Sequence, residues 1–512
     1  MMRLPTGIQD FKKLREEDYF YVDKTMFLEP MLNGGAFFIS RPRRFGKSLT
    51  LSTFKAIFEG HKHVFKDLWL EQHHDFKPRP VIRLDFSLIN FTDKSLNEGV
   101  VDWLRINAAE FNLEINSSNA RDAFRELILE LSKTEKVVVL IDEYDKPITD
   151  NLFNPEVRLE HQNVLKSLYG VLKPMDAYLY LVVFTGVSKI GKLSLFSDLN
   201  NLQDISLDTR FATLFGYTRA EIEHYFQPYL SELCEFHNLP LEELWMAIKH
   251  WYNGYSWDAV NRLYCPFSFL LFLTQKEFKS YWYNTGTPTF LLEMIKNAHI
   301  NPFEFESIEM NNNALSATDV ENLDPISLMF QTGYLTIQHI ERSIIGTQYE
   351  LAYPNQEVRT AFSSNLLQQY GSYLPSTLDG FTIKLQRALM KLEWNTFFAV
   401  VNQVLAGIPY EIFPRQESYS HSLMHLMLVS TGFKTHSQVQ TSVGRMDTLV
   451  TTFNHSIIFE FKIAGTAQEA INQINETHYA DSTSKPVIKV GAVFDLESKS
   501  FKDFKVENGA KI

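Results

Sequence analysis

A lysine and a serine at the end of a basic loop could bind the phosphates of a nucleotide. Gly46, Lys47 and Ser48 match the end of the pattern G-x-x-x-x-G-K-[ST]. In that pattern the loop amides and the lysine hold phosphates, and the hydroxyl binds magnesium. Arg41 stands where the pattern has its first glycine. Because the loop must bend there without glycine's freedom of φ, the residues leave open whether it hydrolyses ATP or only holds it.

An acidic pair further along the chain could complete this site. Asp142 and Glu143 directly follow the aliphatic run Val137–Ile141, and ligands bind at the carboxyl ends of strands in open α/β sheets. We expect Asp142 to hold magnesium and Glu143 to polarise the attacking water. An aspartate that caps a turn, followed by a solvated glutamate, is the ordinary alternative.

A second chemistry is indicated near the C-terminus, where Asp447 precedes an E-x-K segment formed by Glu460 and Lys462. In a strand, Glu460 and Lys462 lie on the same face because side chains alternate. An acid on one strand and E-x-K on the next can converge on a hard metal ion and cleave a phosphodiester. A polar surface strand is the alternative. The apolar residues on both sides of the pair favour a buried strand, in which charges must be paired or bind metal.

The segments around these residues have the patterns of a parallel α/β sheet. Apolar runs at 36–40, 80–86 and 179–184 predict further buried strands, and periodic apolar positions predict helices at 49–58 and 119–132. We expect one polar residue after the strand at 179–184 to sense the γ-phosphate. The candidates are Thr185, Ser188 and Lys189.

The middle of the chain is predicted to be mostly helical. Thr218, with Glu221 three residues later, predicts a capped helix that extends through residue 238. Residues 326–337 predict the end of a helix, a turn and a strand, as in a small winged-helix-like element. For most of this region plain helix packing is the simplest interpretation.

The C-terminal acids are predicted to lie on a hairpin. Apolar residues at 448–453 and 457–463 flank a turn at Asn454–His455, and 487–495 predicts a following strand.

The composition is that of a soluble globular protein. The chain has 512 residues with 45% hydrophobic and 21% charged residues, a net charge of -12 and 2 cysteines. The length predicts several domains, and the cysteine count argues against a disulfide scaffold. The acidity argues against a strongly basic nucleic-acid-binding coat, although residues 41–47 are locally basic. No H-E-x-x-H or G-x-S-x-G motif occurs. Without a signal-like or membrane-length apolar run, we expect a cytoplasmic protein without a membrane partner.

Residues 5 to about 300 resemble the AAA-ATPase-like domain of bacterial proteins. The matching stretches are PTGIQDFKKLREEDYFYVDKT, RPRRFGKSLTLSTF, VVVLIDEYDKPI, FTGVSKIGKLSLFSDLNNLQDISLD, WYNGYSW and YWYNTGTPTFLLEMIK. The resemblance implies a P-loop ATPase core of the additional-strand type, in which RPRRFGKS without the first glycine is the usual loop. The residues expected to bind the nucleotide are Arg43, Arg44, Phe45, Gly46, Lys47, Ser48, Leu49 and Thr185, with Ser48 and Asp142 at the metal. The loop arginines would add positive charge to the phosphates or pair with an acid such as Asp145.

Residues from about 375 to 512 resemble the PD-(D/E)XK nuclease superfamily, in the branch often fused to such an ATPase domain. The resemblance places Asp447 and Glu460 at the metal and Lys462 at the catalytic position. It also implies that Glu417 lies on the first helix, and that Gln473 and Tyr479 lie on a helix lining the site. The proline of the motif is absent, since Met446 precedes Asp447.

Together these features predict an ATP-binding and ATP-hydrolysing protein coupled to a metal-dependent nuclease. The predicted regions are an ATPase domain at 1–215, a helical lid with a winged-helix-like element at 216–370, and a restriction-endonuclease-like α/β domain at 371–512. The expected cofactors are ATP and Mg²⁺, with Mn²⁺ as an alternative at the nuclease site. The expected partner is nucleic acid, with DNA favoured over RNA, and a homo-oligomer is left open. The alternative is a nucleotide-switched binding or scaffold protein whose nuclease-like domain is catalytically silent, which the overall acidity favours.

Overall fold

A computed structural model describes residues 3–282, 289–298, 300, 302–315, 319–371, 373–408, 417–440, 445–476 and 485–508. The chain divides into two units. The N-terminal unit contains Met1–Trp282 and Glu309–Asn355, and the C-terminal unit contains Tyr283–Ile308 and Gln356–Ile512.

The N-terminal unit is built on a parallel sheet. Its strands are β1 (Gly35–Ser40), β2 (Val81–Asp85), β3 (Val137–Asp142), β4 (Leu179–Gly186) and β5 (Leu202–Asp204). They lie in the order β2-β3-β4-β1-β5, and the neighbouring strands are parallel. Strand β4 therefore lies between β1, which leads into the basic loop, and β3, which ends in Asp142. This order confirms the predicted additional-strand α/β core.

Helices follow and precede these strands, as a parallel sheet requires. They are α1 (Phe11–Glu16), α2 (Glu29–Leu32), α3 (Lys47–Phe58), α4 (Leu96–Glu110), α5 (Ala120–Leu131), α6 (Lys146–Thr149), α7 (Pro155–Tyr169) and α8 (Lys192–Leu195). Short 3-10 helices are formed by Thr25–Leu28, Lys62–Phe65, Trp69–Gln72, Asp176–Tyr178 and Thr209–Phe211. The predicted helices at 49–58 and 119–132 correspond to α3 and α5, and Asn119 caps α5 by accepting a hydrogen bond from the Asp122 amide.

The region after the sheet is helical, as predicted. It contains α9 (Arg219–Tyr225), α10 (Gln227–His237), α11 (Leu241–Tyr252) and α12 (Pro266–Gln275), with a small hairpin of β6 (Asn253–Tyr255) and β7 (Leu263–Tyr264). Thr218 and Glu221 form the predicted capping box. The prediction of one helix through residue 238 is wrong, because the helix breaks at Phe226. Pro228 explains the break, since it lacks an amide hydrogen and its ring would clash with the carbonyl four residues earlier.

Residues 326–337 form the predicted helix end, turn and strand. After α13 (Thr289–Asn297), which belongs to the C-terminal unit, come a 3-10 helix at Pro302–Glu306, β8 (Ile308–Asn311), α14 (Asn312–Leu315) and α15 (Pro325–Thr332). Strands β9 (Thr336–Ser343) and β10 (Gly346–Ala352) then form an antiparallel pair. Gly333 ends α15 with φ 94°, a conformation that favours glycine.

The C-terminal unit packs helices around a mixed sheet. Its further elements are α16 (Gln356–Gly371), α17 (Pro375–Lys391), α18 (Trp394–Ala406), α19 (Glu417–Ser430), β11 (Lys434–Gln440), β12 (Arg445–Thr451), β13 (Ser456–Lys462), α20 (Ala467–Glu476), β14 (Val487–Asp495) and β15 (Ser500–Asn508). The strands lie in the order β11-β12-β13-β14-β15. Strands β13 and β14 are parallel and are connected through α20, while the other neighbouring pairs are antiparallel. The predicted hairpin and the predicted strand at 487–495 are confirmed.

Candidate functional site

The basic loop connects the end of β1 to the start of α3, as a phosphate-binding loop requires. Two residues make its bend: Arg44 has φ 69° and Gly46 has φ 95°. Arg41 does not adopt a positive φ, so the position without glycine needs no left-handed backbone. Ser48 and Leu49 lie in the first turn of α3, next to this bend.

The side chain of Lys47 lies inside the loop. Its Nζ donates hydrogen bonds to the carbonyl oxygens of Arg41, at 2.8 Å, and Pro42, at 3.0 Å. Burial lowers the pKa of Lys47, and the carboxylates of Asp142 and Glu143 act in the opposite direction. The ammonium group is thus held between the loop and the acidic end of β3, where a nucleotide phosphate can replace the carbonyl contacts.

Other predicted nucleotide-binding residues of the loop direct their side chains toward the helical region. The ring of Phe45 is buried, with its centroid 4.8 Å from that of Tyr255 and 5.4 Å from that of Trp257. The guanidinium carbon of Arg44 lies 4.7 Å from the centre of the Phe267 ring. Trp282 Nε1 donates a hydrogen bond of 3.1 Å to the carbonyl of Arg43, whose side chain is exposed. The ring of Phe45 therefore anchors the loop, and only its backbone could contact a ligand.

The carboxylate of Asp142 is buried at the end of β3 and is half satisfied. Oδ1 accepts a hydrogen bond of 2.6 Å from the hydroxyl of Thr185 on β4. Oδ2 receives no hydrogen bond from any described residue, and the nearest cation is Arg83 Nη2 at 3.8 Å. A buried carboxylate oxygen without a donor fits a divalent cation, because an unpaired buried charge is costly. Thr185 therefore orients Asp142, and its role in sensing phosphate stays a prediction.

Glu143 occupies a left-handed backbone position directly after the strand. It has φ 52°, and its amide donates a hydrogen bond of 3.1 Å to Asp142 Oδ1. Burial raises the pKa of its carboxyl group, while Lys47 opposes this shift. A half-buried carboxylate with a raised pKa is suited to accept a proton from water.

The predicted pairing of a loop arginine with Asp145 is wrong for Arg41, while the added positive charge for the phosphates stays a prediction. Asp145 instead accepts hydrogen bonds from the amide, at 2.8 Å, and hydroxyl, at 2.6 Å, of Ser188. The Arg41 guanidinium points away from the loop and donates to the Ser206 carbonyl at 2.6 Å. Lys189 is engaged by Asp204 at 2.9 Å. Ser188 and Lys189 are thus each engaged by a carboxylate, and their role in sensing phosphate stays a prediction.

In the C-terminal unit, four predicted residues come together on β12, β13 and α20. Asp447 Oδ2 accepts a hydrogen bond of 2.8 Å from the amide of Phe461. Lys462 Nζ lies 3.8 Å from Glu460 Oε1 and donates a hydrogen bond to Gln473 Oε1. The register that pairs Thr448 with Phe459 positions Asp447 beside Glu460.

Glu460 is the most electrostatically strained group of this site. Its side chain is buried, and Oε2 receives no hydrogen bond within the described residues. Burial and the neighbouring Asp447 carboxylate raise the pKa of Glu460 to about 8, with Lys462 opposing the shift. Lys462 does not return this pKa to its ordinary value, so a further cation would stabilise the charged form, and Asp447 and Glu460 fit a divalent ion.

Two predicted residues of this site cannot be placed by their side chains. Glu417 is the first residue of α19, and its side chain lies outside the described residues, as does all of Tyr479. Among the residues that are described, no group of three His, Cys, Asp or Glu side chains forms a metal site.

Sequence reasoning missed His421. Its Nδ1 lies 4.0 Å from Asp447 Oδ1, and its Nε2 is buried without a hydrogen-bond partner among the described residues. His421 follows Glu417 by one helical turn, and this i, i+4 spacing is the signal that could have identified it. Arg83, beside Asp142, has no comparable signal in the sequence.

Comparisons with known proteins match two separate parts of the chain to families. Residues 5–196 match the family described as "Predicted AAA-ATPase", and residues 415–504 match the family described as "PD-(D/E)XK nuclease superfamily". The chain is 36% identical over 522 residues to the "Uncharacterized protein in vnfD 5'region" of Azotobacter chroococcum mcd 1, covering 99% of each chain. No solved structure matches. Within the described part of the chain, no helix has both the length and the apolar character needed to span a bilayer.

Proposed function

The chain belongs to the family of AAA-ATPase-like proteins with a C-terminal PD-(D/E)XK nuclease superfamily domain, and we propose that it is an ATP-hydrolysing nuclease. ATP is bound and hydrolysed in the N-terminal unit. Nucleic acid, with DNA as the preferred substrate, is cleaved in the C-terminal unit.

The observation that carries the nuclease proposal is the buried Glu460 carboxylate beside Asp447 and Lys462. A protein that used this sheet only as a scaffold would gain nothing from a buried Glu460 carboxylate that lies beside Asp447 and has one oxygen unsatisfied within the described residues. A bound Mg²⁺ or Mn²⁺ would stabilise the negative charge on the phosphodiester. Because these residues are intact, an active site is favoured over a silent one.

The protein's own groups have distinct tasks in this site. Asp447 and Glu460 would hold the ion. Lys462, held by Gln473, is positioned on the same strand face as Glu460, where its ammonium group can orient the attacking water. The amide of Phe461 donates a hydrogen bond to Asp447 Oδ2 and so fixes the orientation of this carboxylate.

The nucleotide site divides its tasks in a similar way. The loop amides and Lys47 would bind the phosphates, and Ser48 with Asp142 would hold Mg²⁺. Thr185 fixes one oxygen of Asp142 and leaves the other unsatisfied. Glu143 would accept a proton from the attacking water.

The test uses the purified full chain with DNA and RNA, in Mg²⁺ or Mn²⁺, with and without ATP. Lys462→Ala should abolish cleavage. Lys489→Ala is the matched control, because Lys489 on the adjacent strand also donates to a side-chain amide of α20, that of Asn475. If neither nucleic acid is cut under any condition, the nuclease proposal fails.

ATP turnover is tested in parallel. Lys47→Ala should abolish turnover, while Lys55→Ala, on the same helix and paired with Glu59 on the surface, should leave it unchanged. Turnover that survives Lys47→Ala would refute the assignment of the phosphate loop.

A further inference from the structure

Arg41 occupies the position where the general phosphate-loop pattern has glycine, and its side chain is buried in the N-terminal unit. It is 1% exposed. Nη1 donates to the carbonyls of Ser40, at 2.9 Å, and Ser206, at 2.6 Å, and Nη2 donates to that of Phe211 at 3.5 Å. The loop is therefore tied to the segment that follows β5.

Two aromatic rings also contact this guanidinium. Its central carbon lies 4.2 Å from the centre of the Trp257 ring and 5.5 Å from that of Phe215. Burial lowers the pKa of Arg41 to about 9, which leaves the group charged at neutral pH. A desolvated cation over an indole is among the stronger contacts of this kind.

Both ends of the phosphate loop depend on the same anchor. The carbonyl of Arg41 accepts the hydrogen bond from Lys47 Nζ at 2.8 Å. At the other end of the loop, Phe45 packs against Trp257, the ring that also covers the Arg41 guanidinium. Arg41 thus connects the position of Lys47 to the body of the unit, and Trp257 is shared by both ends.

We propose that Arg41 is a positioning residue for nucleotide binding, which holds the phosphate loop in its binding conformation through Ser206, Phe211 and Trp257. This inference rests on the proposed function of the loop. A glycine at position 41 would allow more backbone freedom, because the bend itself is made at Arg44 and Gly46. In this chain, restoring the general pattern should therefore weaken nucleotide binding, because a loop ordered in advance loses less entropy when it binds.

The experiment compares Arg41→Gly and Arg41→Lys with a control, Arg262→Gly. Arg262 is suited to this role because its guanidinium also donates to backbone carbonyls, those of Ile337 at 2.6 Å and Gln338 at 2.7 Å, which are not part of the loop. The measurements are the Kd of a fluorescent ATP analogue, the thermal midpoint, and kcat and KM for ATP.

We expect Arg41→Gly to raise Kd and KM by about tenfold or more, because the charged hydrogen bonds that it removes hold the loop ready for binding. The value of kcat should change much less, because these bonds do not involve the reacting groups. The Kd of Arg41→Lys should lie between those of the wild type and Arg41→Gly, because lysine keeps the positive charge and loses the paired N–H donors of the guanidinium. Arg262→Gly should lower the thermal midpoint without changing Kd. A second pair of variants tests the same contact from the other side. Trp257→Phe should bind the ATP analogue nearly as tightly as the wild type does, and Trp257→Leu should bind it weakly.

Unchanged or tighter binding by Arg41→Gly would overturn the inference. Equal weakening by Arg262→Gly would also overturn it, because the effect would then be one of general stability. The reference for absent binding is Lys47→Ala. A wild-type chain that binds no more analogue than this variant overturns the proposed function together with the inference, whereas binding that is insensitive to position 41 overturns the inference alone.

Discussion

Replacing Glu460 by glutamine should stabilise the metal-free protein at neutral pH. The pKa of Glu460 rises from 4.5 to about 8 in the folded chain, through burial and the Asp447 carboxylate. At pH 7 the folded state keeps the proton, while the unfolded state gains free energy by losing it. Over the 2.5 pH units between 4.5 and 7, this favours unfolding by about 3 kcal/mol. Glutamine has the same shape and cannot ionise, so the variant does not lose this free energy of folding.

The pH dependence has a definite sign. Because the folded pKa of this acid is raised, its contribution to stability is fully present below about pH 4.5. The contribution falls as the pH rises to about 8 and is constant above that value. The gap between Glu460→Gln and the wild type should therefore close near pH 4 and be largest above pH 8.

The assay is thermal unfolding in a chelator, followed from pH 4 to 9. A gain of about 3 kcal/mol corresponds to an increase of roughly 6–12 °C in the midpoint for a unit of this size. Glu476→Gln, at the exposed end of α20, is the control and should leave the midpoint unchanged. Adding Mn²⁺ should stabilise the wild type and not Glu460→Gln. Equal midpoints at pH 7, or a gap independent of pH, would refute the electrostatic account of Glu460.

Two further substitutions test single contacts, one beside the nucleotide site and one between Arg359 and Glu306 in the C-terminal unit. Thr185→Val removes the 2.6 Å hydrogen bond that orients Asp142 and should lower kcat for ATP by about tenfold. Thr185→Ser keeps the hydroxyl and should retain turnover. Equal rates in the two variants would show that this hydrogen bond is dispensable. The Arg359 guanidinium lies 2.7 Å from the Glu306 carboxylate and helps to keep the pKa of Glu306 at about 2. Arg359→Met removes this contact and should lower the free energy of unfolding, measured by urea denaturation, by about 2 kcal/mol. An unchanged urea midpoint would contradict this expectation.

The sequence predicted the strand ends that carry chemistry because their signals are local. The run Val137–Ile141 is apolar at every position, as a strand buried on both faces must be, and Asp142 follows it directly. The E-x-K pair was placed by the alternation of strand side chains. Thr218 and Glu221 were identified as a cap by their spacing alone.

Other features depend on contacts that no local pattern encodes. The hydrogen bond from Arg41 to Ser206 joins residues that are 165 positions apart, and nothing around Arg41 predicts that its side chain is buried. The grouping of Tyr283–Ile308 with the chain after Gln356 is equally non-local. Pro228, by contrast, is a local signal, and it overrides the helical periodicity around it because proline lacks an amide hydrogen and its ring clashes with the carbonyl four residues earlier.

The most direct test of the account is the rate of DNA cleavage by the full chain in Mg²⁺, measured with and without ATP for the wild type and Lys47→Ala. We predict that ATP changes the rate of the wild type, that Lys47→Ala keeps only the ATP-independent rate, and that Lys462→Ala cuts nothing. Cleavage by Lys462→Ala at the wild-type rate, or a wild-type rate that ATP does not change, would contradict the claim that one chain couples an ATPase to a nuclease.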